Sequence, residues 1–139
     1  MRLARVVALA GLAFSAQACE ELPAAPELAN VPPSSTFFFT PVAPIYAGGT
    51  AVAFNASGAR DPDGQIVSYV WNFGDGTPEE TTSSPNHSHT FPDTASRCLN
   101  VTYGVSLAVV DDRGDRGVAS LPVTVTELPA PTAQECQPR

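Results

Sequence analysis

Apolar and polar residues alternate along most of the chain beyond residue 50, and that period of two predicts β-strands. The clearest run is Val101, Tyr103, Val105, Leu107 and Val109, with an apolar residue at every second position. Successive side chains of a strand point to opposite faces, so these residues share one. The run stops at Asp111-Asp112-Arg113-Gly114, which is turn chemistry. A second run, Val67, Tyr69, Trp71 and Phe73, holds the only tryptophan and leads directly into Gly74-Asp75-Gly76. Its predicted inner face carries three aromatic rings, enough apolar area to anchor a small core. Gly74 and Gly76 suit the positive φ of a tight reversal, and Asp75 suits a bond to the adjacent backbone.

Weaker signals complete the pattern. Val52 and Phe54 alternate within Thr50–Ala56, and Ser57 to Gly64 is all turn chemistry. His87, His89 and Phe91 fall at alternate positions of a short strand, and residues 118–125 alternate in a final one. Phe37-Phe38-Phe39-Thr40 precedes Pro41 and Pro44, which fits an edge strand and excludes a central one. Three consecutive phenylalanines cannot all face inward, so at least one is expected at the surface. Thr77 to Pro85 reads as an exposed edge segment and loop, and no helical period of useful length follows the first residues. About seven short strands with turns near ten-residue spacing predict an all-β antiparallel β-sandwich over residues 36–127.

The N-terminus changes the domain count. Arg2 and Arg5 precede an apolar run from Val6 to Phe14, then Ser15-Ala16-Gln17-Ala18 and Cys19. A basic start, an apolar stretch of about ten residues and a small-residue end describe a signal peptide over residues 1–18. The stretch is too short for a membrane span, which needs about 20 residues. Ala16-Gln17-Ala18 satisfies ordinary cleavage and release, whereas Cys19 at the new terminus resembles a lipoprotein signal and marks a lipidation site. Ala16 and Gln17 depart from the usual lipoprotein pattern. Residues 19–35, with Pro23, Pro26, Pro32 and Pro33, read as a Pro-rich tether, and residues 128–139 as a C-terminal tail. The expected address is exported, either anchored at Cys19 or released.

The chain has three cysteines, so lipidation of Cys19 would leave Cys98 and Cys136 to pair or to remain free thiols. In an oxidising compartment a bridge over roughly 40 residues would add ~3–4 kcal/mol. The formal charge is −7, and loss of Arg2 and Arg5 takes it to −9. No lysine occurs in the chain, so clustered basic side chains for a phosphate backbone are missing and nucleic acid is not expected as a partner.

The motifs around the tryptophan strand point to a family. Asp61-Pro62-Asp63-Gly64, Ser68-Tyr69 and Trp71-Asn72-Phe73-Gly74-Asp75-Gly76 resemble the PKD (polycystic kidney disease) domain, as do His89-Thr90-Phe91 and Tyr103 to Asp111. The resemblance covers roughly residues 42–126. It implies an immunoglobulin-like sandwich with Trp71 between the sheets, in a non-catalytic extracellular module. The segment Pro92 to Val101, which holds Cys98, is longer than the short turn usual in the family.

Candidate chemistry is sparse. No nucleophile elbow, zinc-protease motif or phosphate loop occurs. Glu79-Glu80 and Asp111-Asp112 are adjacent pairs whose side chains point apart, so no enzyme is expected. His87 and His89 form only part of a zinc set. Asp61 and Asp63 beside Gly64 suit a hard cation such as Ca²⁺, which takes six to eight oxygens. The family resemblance adds Asp111 and Asp112 to that set; the alternative is that the aspartates simply fix their turns. Apart from Ca²⁺ no cofactor is implied. The partner expected is a surface protein or a polysaccharide, with membrane contact only through Cys19; the alternative role is as an accessory module or subunit of a secreted hydrolase.

Overall fold

The computed structural model describes residues 28–93 and 100–126. Cys19, Cys98, Cys136, the signal peptide and the tail lie outside the described residues.

Seven strands form two antiparallel sheets. In chain order they are β1 (Phe38–Thr40), β2 (Ala51–Asn55), β3 (Ile66–Asn72), β4 (Glu80–Thr82), β5 (Asn86–Thr90), β6 (Val101–Asp111) and β7 (Arg116–Val125). One sheet runs β1-β2-β5 and the other β4-β3-β6-β7. This is the antiparallel β-sandwich that the alternation predicts, in the immunoglobulin-like form that the PKD resemblance implies. Both predicted edge segments hold: β1 with its following prolines and β4 each lie at the edge of a sheet. Pro122, which has no N–H to donate, lies in the other edge strand, β7.

Register sets the core. Tyr69 faces Val109 and Trp71 faces Leu107, while Tyr103 faces Val123 on the other side of β6. Their side chains meet Val52 and Phe54 from the opposite sheet, and Trp71, Phe73, Val105, Leu107 and Val109 are fully buried. Trp71 touches Phe37 edge-on at 5.3 Å and Phe54 at 5.6 Å, both ordinary distances for favourable aromatic pairs.

Val67 departs from the predicted row. The β3–β6 register shifts between Ile66 and Ser68, a bulge that rotates the strand by one position. Val67 therefore points outward and is exposed, whereas Tyr69, Trp71 and Phe73 face inward as expected.

Residues 30–35, expected inside the tether, are bound to the sandwich. Ser34 and Arg60 exchange two backbone hydrogen bonds, and the Ser35 hydroxyl donates to the Leu107 carbonyl at 3.3 Å. The Pro33 carbonyl occupies the space where a side chain at residue 117 would stand. Gly117 is thus the residue that admits this segment against β7.

Removing the Trp71 ring should cost ~3–5 kcal/mol, as for other large-to-small core changes. The indole N–H is buried without a partner, so Trp71→Phe, which removes it as well, should cost distinctly less. Urea denaturation of both variants measures this. A loss in Trp71→Phe as large as in Trp71→Ala would refute this account of the ring and its unpartnered N–H.

Candidate functional site

Three places on the sandwich carry chemistry. The first is the turn after β3. Gly74 has φ +71°, and a side chain there would meet the Gly104 carbonyl oxygen at 2.7 Å, so the turn lies directly on the β6 backbone. Asp75 points back into this turn. Its Oδ1 accepts from the Thr77 hydroxyl at 2.6 Å and the Thr77 N–H at 3.0 Å. Its Oδ2 lies 2.7 Å from His89 Nε2 on β5, in the other sheet. The His89 ring stacks on Phe73 with centroids 3.8 Å apart. Burial alone would raise the Asp75 carboxyl, but the bonds from Thr77 and His89 outweigh it and hold the group below its ordinary value. Asp75 and His89 therefore join the two sheets through a buried polar link.

His87 does not join this link. Its Nε2 is 3.1 Å from Glu80 Oε2 on β4, without an aligned hydrogen bond. The two histidines share the inner face of β5 but turn to different carboxylates, and no third ligand joins them. Among the described residues no group of three or more histidine, cysteine or acidic side chains is arranged to hold a metal ion.

The second place is the acidic end, where the β2–β3 and β6–β7 turns meet. Asp61, Asp63, Asp111 and Asp112, the four candidate cation ligands, all lie at this end. Their oxygens are largely engaged, however. Asp61 Oδ1 accepts from the N–H groups of Asp63 and Gly64, each at 3.2 Å. Asp112 Oδ1 accepts from the Gln65 N–H at 3.3 Å. Asp111 Oδ1 accepts from the N–H groups of Arg113 and Asp115, at 2.9 and 2.8 Å. Its Oδ2 takes the Asn30 amide at 2.7 Å. Asp63 pairs with Arg113 at 3.0 Å. Only Asp61 Oδ2 is buried there with no partner.

Sequence reasoning missed three members of this cluster. Asn30 lay within the supposed tether, and nothing local couples it to partners more than 80 residues away. Arg113 stood in a recognised turn with Asp115 just after it, where the one signal was an arginine beside three aspartates, Asp111, Asp112 and Asp115.

The third place is the outer face of the β1-β2-β5 sheet. Cross-strand rows there read Phe38–Asn55–Asn86, Thr40–Ala53–Ser88 and Ala51–Thr90. None of these residues is charged. Phe38 is 58% exposed, while Phe37 is buried and Phe39 packs partly against the core. This is the surface phenylalanine that the three-residue run requires.

Burial would also raise Asp111, but the Asn30 amide and the N–H groups of Asp115, Arg113 and Gly114 hold it below its ordinary value. Asp75 and Asp111 thus stay ionised in the native state at a pH where an unfolded aspartate, near ~3.9, takes up a proton. Their stabilisation is complete above that pH and is lost as the pH falls through the lower native values. Urea melts should show stability dropping below pH ~4. Asp111→Asn should be less stable at neutral pH and show a shallower acid decline; an unchanged slope between pH 5 and 3 would refute the assignment.

Comparison with known proteins agrees with this architecture. A family model described as PKD domain matches residues 31–125. Collagenase ColA of Bacillus cereus is 35% identical over 78 residues, 56% of this chain and 7% of the collagenase. A microbial collagenase of Vibrio alginolyticus is 32% identical over 80 residues, 58% of this chain and 9% of that protein. The chain therefore matches less than a tenth of these relatives' length. Among solved structures, a study of carbohydrate-binding modules from the β-sandwich superfamily contains a chain with TM-score 0.62 and 34% identity. The match covers 72% of this chain and 36% of that one. The PKD1 domain of Vibrio anguillarum Epp matches with TM-score 0.52 and 26% identity, covering 72% of this chain and all of that domain.

Proposed function

Because this chain belongs to the PKD domain family, we propose that it is an exported, non-catalytic binding module that holds an extracellular polymer. The observation that carries this reading is Phe38, a large ring 58% exposed on an otherwise small, uncharged sheet face. An aromatic ring beside amides and hydroxyls supplies stacking and neutral hydrogen bonding together, the chemistry that suits a polysaccharide. A flat extended protein such as a collagen fibril is the competing polymer, and the collagenases among the relatives support it.

A catalytic role is poorly supported. The aspartates of the acidic end are tied into turn hydrogen bonds, His89 is held by Asp75, and His87 lies against Glu80. General acid–base work needs a group free to reach substrate. The small share of each collagenase that this chain matches favours a role as an accessory module or subunit beside a hydrolase.

Cosedimentation with insoluble chitin, cellulose and collagen fibrils tests the reading. Phe38→Ser should reduce retention on the polymer that binds by about tenfold, the effect expected from losing one stacking contact of ~1–2 kcal/mol. Its melting temperature should match that of the parent within a few degrees, since the ring is exposed. Retention unchanged by Phe38→Ser would move the contact elsewhere, and no retention on any of the three would overturn the polymer reading.

Export rests on the leader pattern and Cys19. Mass spectrometry of the mature N-terminus should show a diacylglyceryl group on Cys19. An unmodified Cys19 in the culture medium would replace anchoring with release.

A further inference from the structure

The acidic end of the sandwich already contains a cation. We propose that the Arg113 guanidinium, together with the Asn30 amide, fills the role at this end that a divalent ion would otherwise serve, and latches residues 30–35 to the sandwich. Arg113 Nη1 lies 3.0 Å from Asp63 Oδ2 and 3.1 Å from Asn30 Oδ1. The same Asn30 donates from Nδ2 to Asp111 at 2.7 Å and to Asp115 at 2.9 Å. One amide side chain thus connects a guanidinium on one side to two carboxylates on the other. The Val31 N–H adds contacts to Asp63 at 3.2 and 3.3 Å. Every one of these partners comes from the N-terminal segment or from one of two distant turns.

The donor set argues against a calcium ion in the same position. Such an ion wants six to eight oxygens. Here both Asp63 oxygens, both Asp111 oxygens, Asp61 Oδ1 and Asp112 Oδ1 already accept hydrogen bonds. Asp61 Oδ2 is buried without one and Asp112 Oδ2 has none among the described residues, but the Arg113 guanidinium already stands against the Asp63 and Asn30 oxygens that would have to complete a shell. A cation is still needed electrostatically, because five aspartates converge on this end and Asp111 is buried. Arg113 supplies it from within the chain. A guanidinium suits the task because it keeps its charge at any accessible pH and presents several donors in fixed directions.

The latch sits where the segment enters the fold. Beyond it, Pro33 lies against Gly117 and Ser34 pairs with Arg60, so loosening Asn30 and Val31 should loosen those contacts in turn. Core strands lie deeper and depend on other interactions, which separates a local effect from global unfolding.

Amide hydrogen exchange combined with thermal melting tests this on the full chain. In Arg113→Ala the Val31 and Ser34 amides should exchange roughly fivefold faster, the size expected of a small ion-pair network. Asn30→Ala should do the same, while amides of β3 and β6 keep their protection in both variants. Arg113→Lys, which keeps the charge but not the fork, should fall between parent and Arg113→Ala. The parent's melting temperature should be the same in EGTA and in millimolar calcium. A rise of the parent's melting temperature with calcium would overturn the proposal. So would unchanged Val31 and Ser34 exchange in both Arg113→Ala and Asn30→Ala.

Discussion

The packing of Trp71 between the two sheets is the contact on which the other parts depend. β3 delivers Trp71 and Phe73 from one sheet, and β2 answers with Phe54 from the other. Phe37 closes the pocket edge-on. Sheets joined only by apolar contact can slide, because the hydrophobic effect has no direction. The Asp75–His89 link supplies direction. It lies next to the aromatic group, crosses from the β3 turn to β5, and stacks His89 on Phe73. Burial and alignment thus come from neighbouring residues of one stretch of chain.

Much of this was legible in the order of residues, and the reasons differ from place to place. The inward row of β6 and the burial of Trp71 follow from period two alone. Asp75 was read as a turn residue, and the structure adds that its other oxygen reaches across to His89, which no local pattern encodes. Val67 was misplaced because a bulge inserts one residue without altering the apolar alternation on which the assignment rests. Asn30 was lost for another reason. Proline-rich composition describes how a chain behaves alone, and says nothing of partners more than 80 residues further on. Arg113 was seen as part of a turn, but its pairing to Asp63 across 50 residues depends on both turns meeting at one end.

The candidate binding face has the opposite character. Its rows on β1, β2 and β5 follow from the same alternation that identifies the core, since residues that do not face in must face out. What alternation cannot provide is the meaning of an uncharged outer face on an acidic protein. Phe38 stands out there only after Phe37 and Phe39 have been given places inside. The two ends of the sandwich therefore contrast with its flank: the ends are occupied by internal hydrogen bonds, and the flank presents an unengaged ring.

The path of the chain through the sandwich has a mechanical consequence. Residue 30 is held beside Asp115, where β7 begins, and Thr126 leaves beside Tyr46 at the far end of that strand. A strand of ten residues spans about 30 Å at ~3.3 Å per residue. The described chain thus enters near the start of β7 and exits near its end, with the length of that strand between the two points. Tension along that strand would load the β6–β7 ladder in shear. Its rungs would then be stressed together, and would not open one after another as in a zipper.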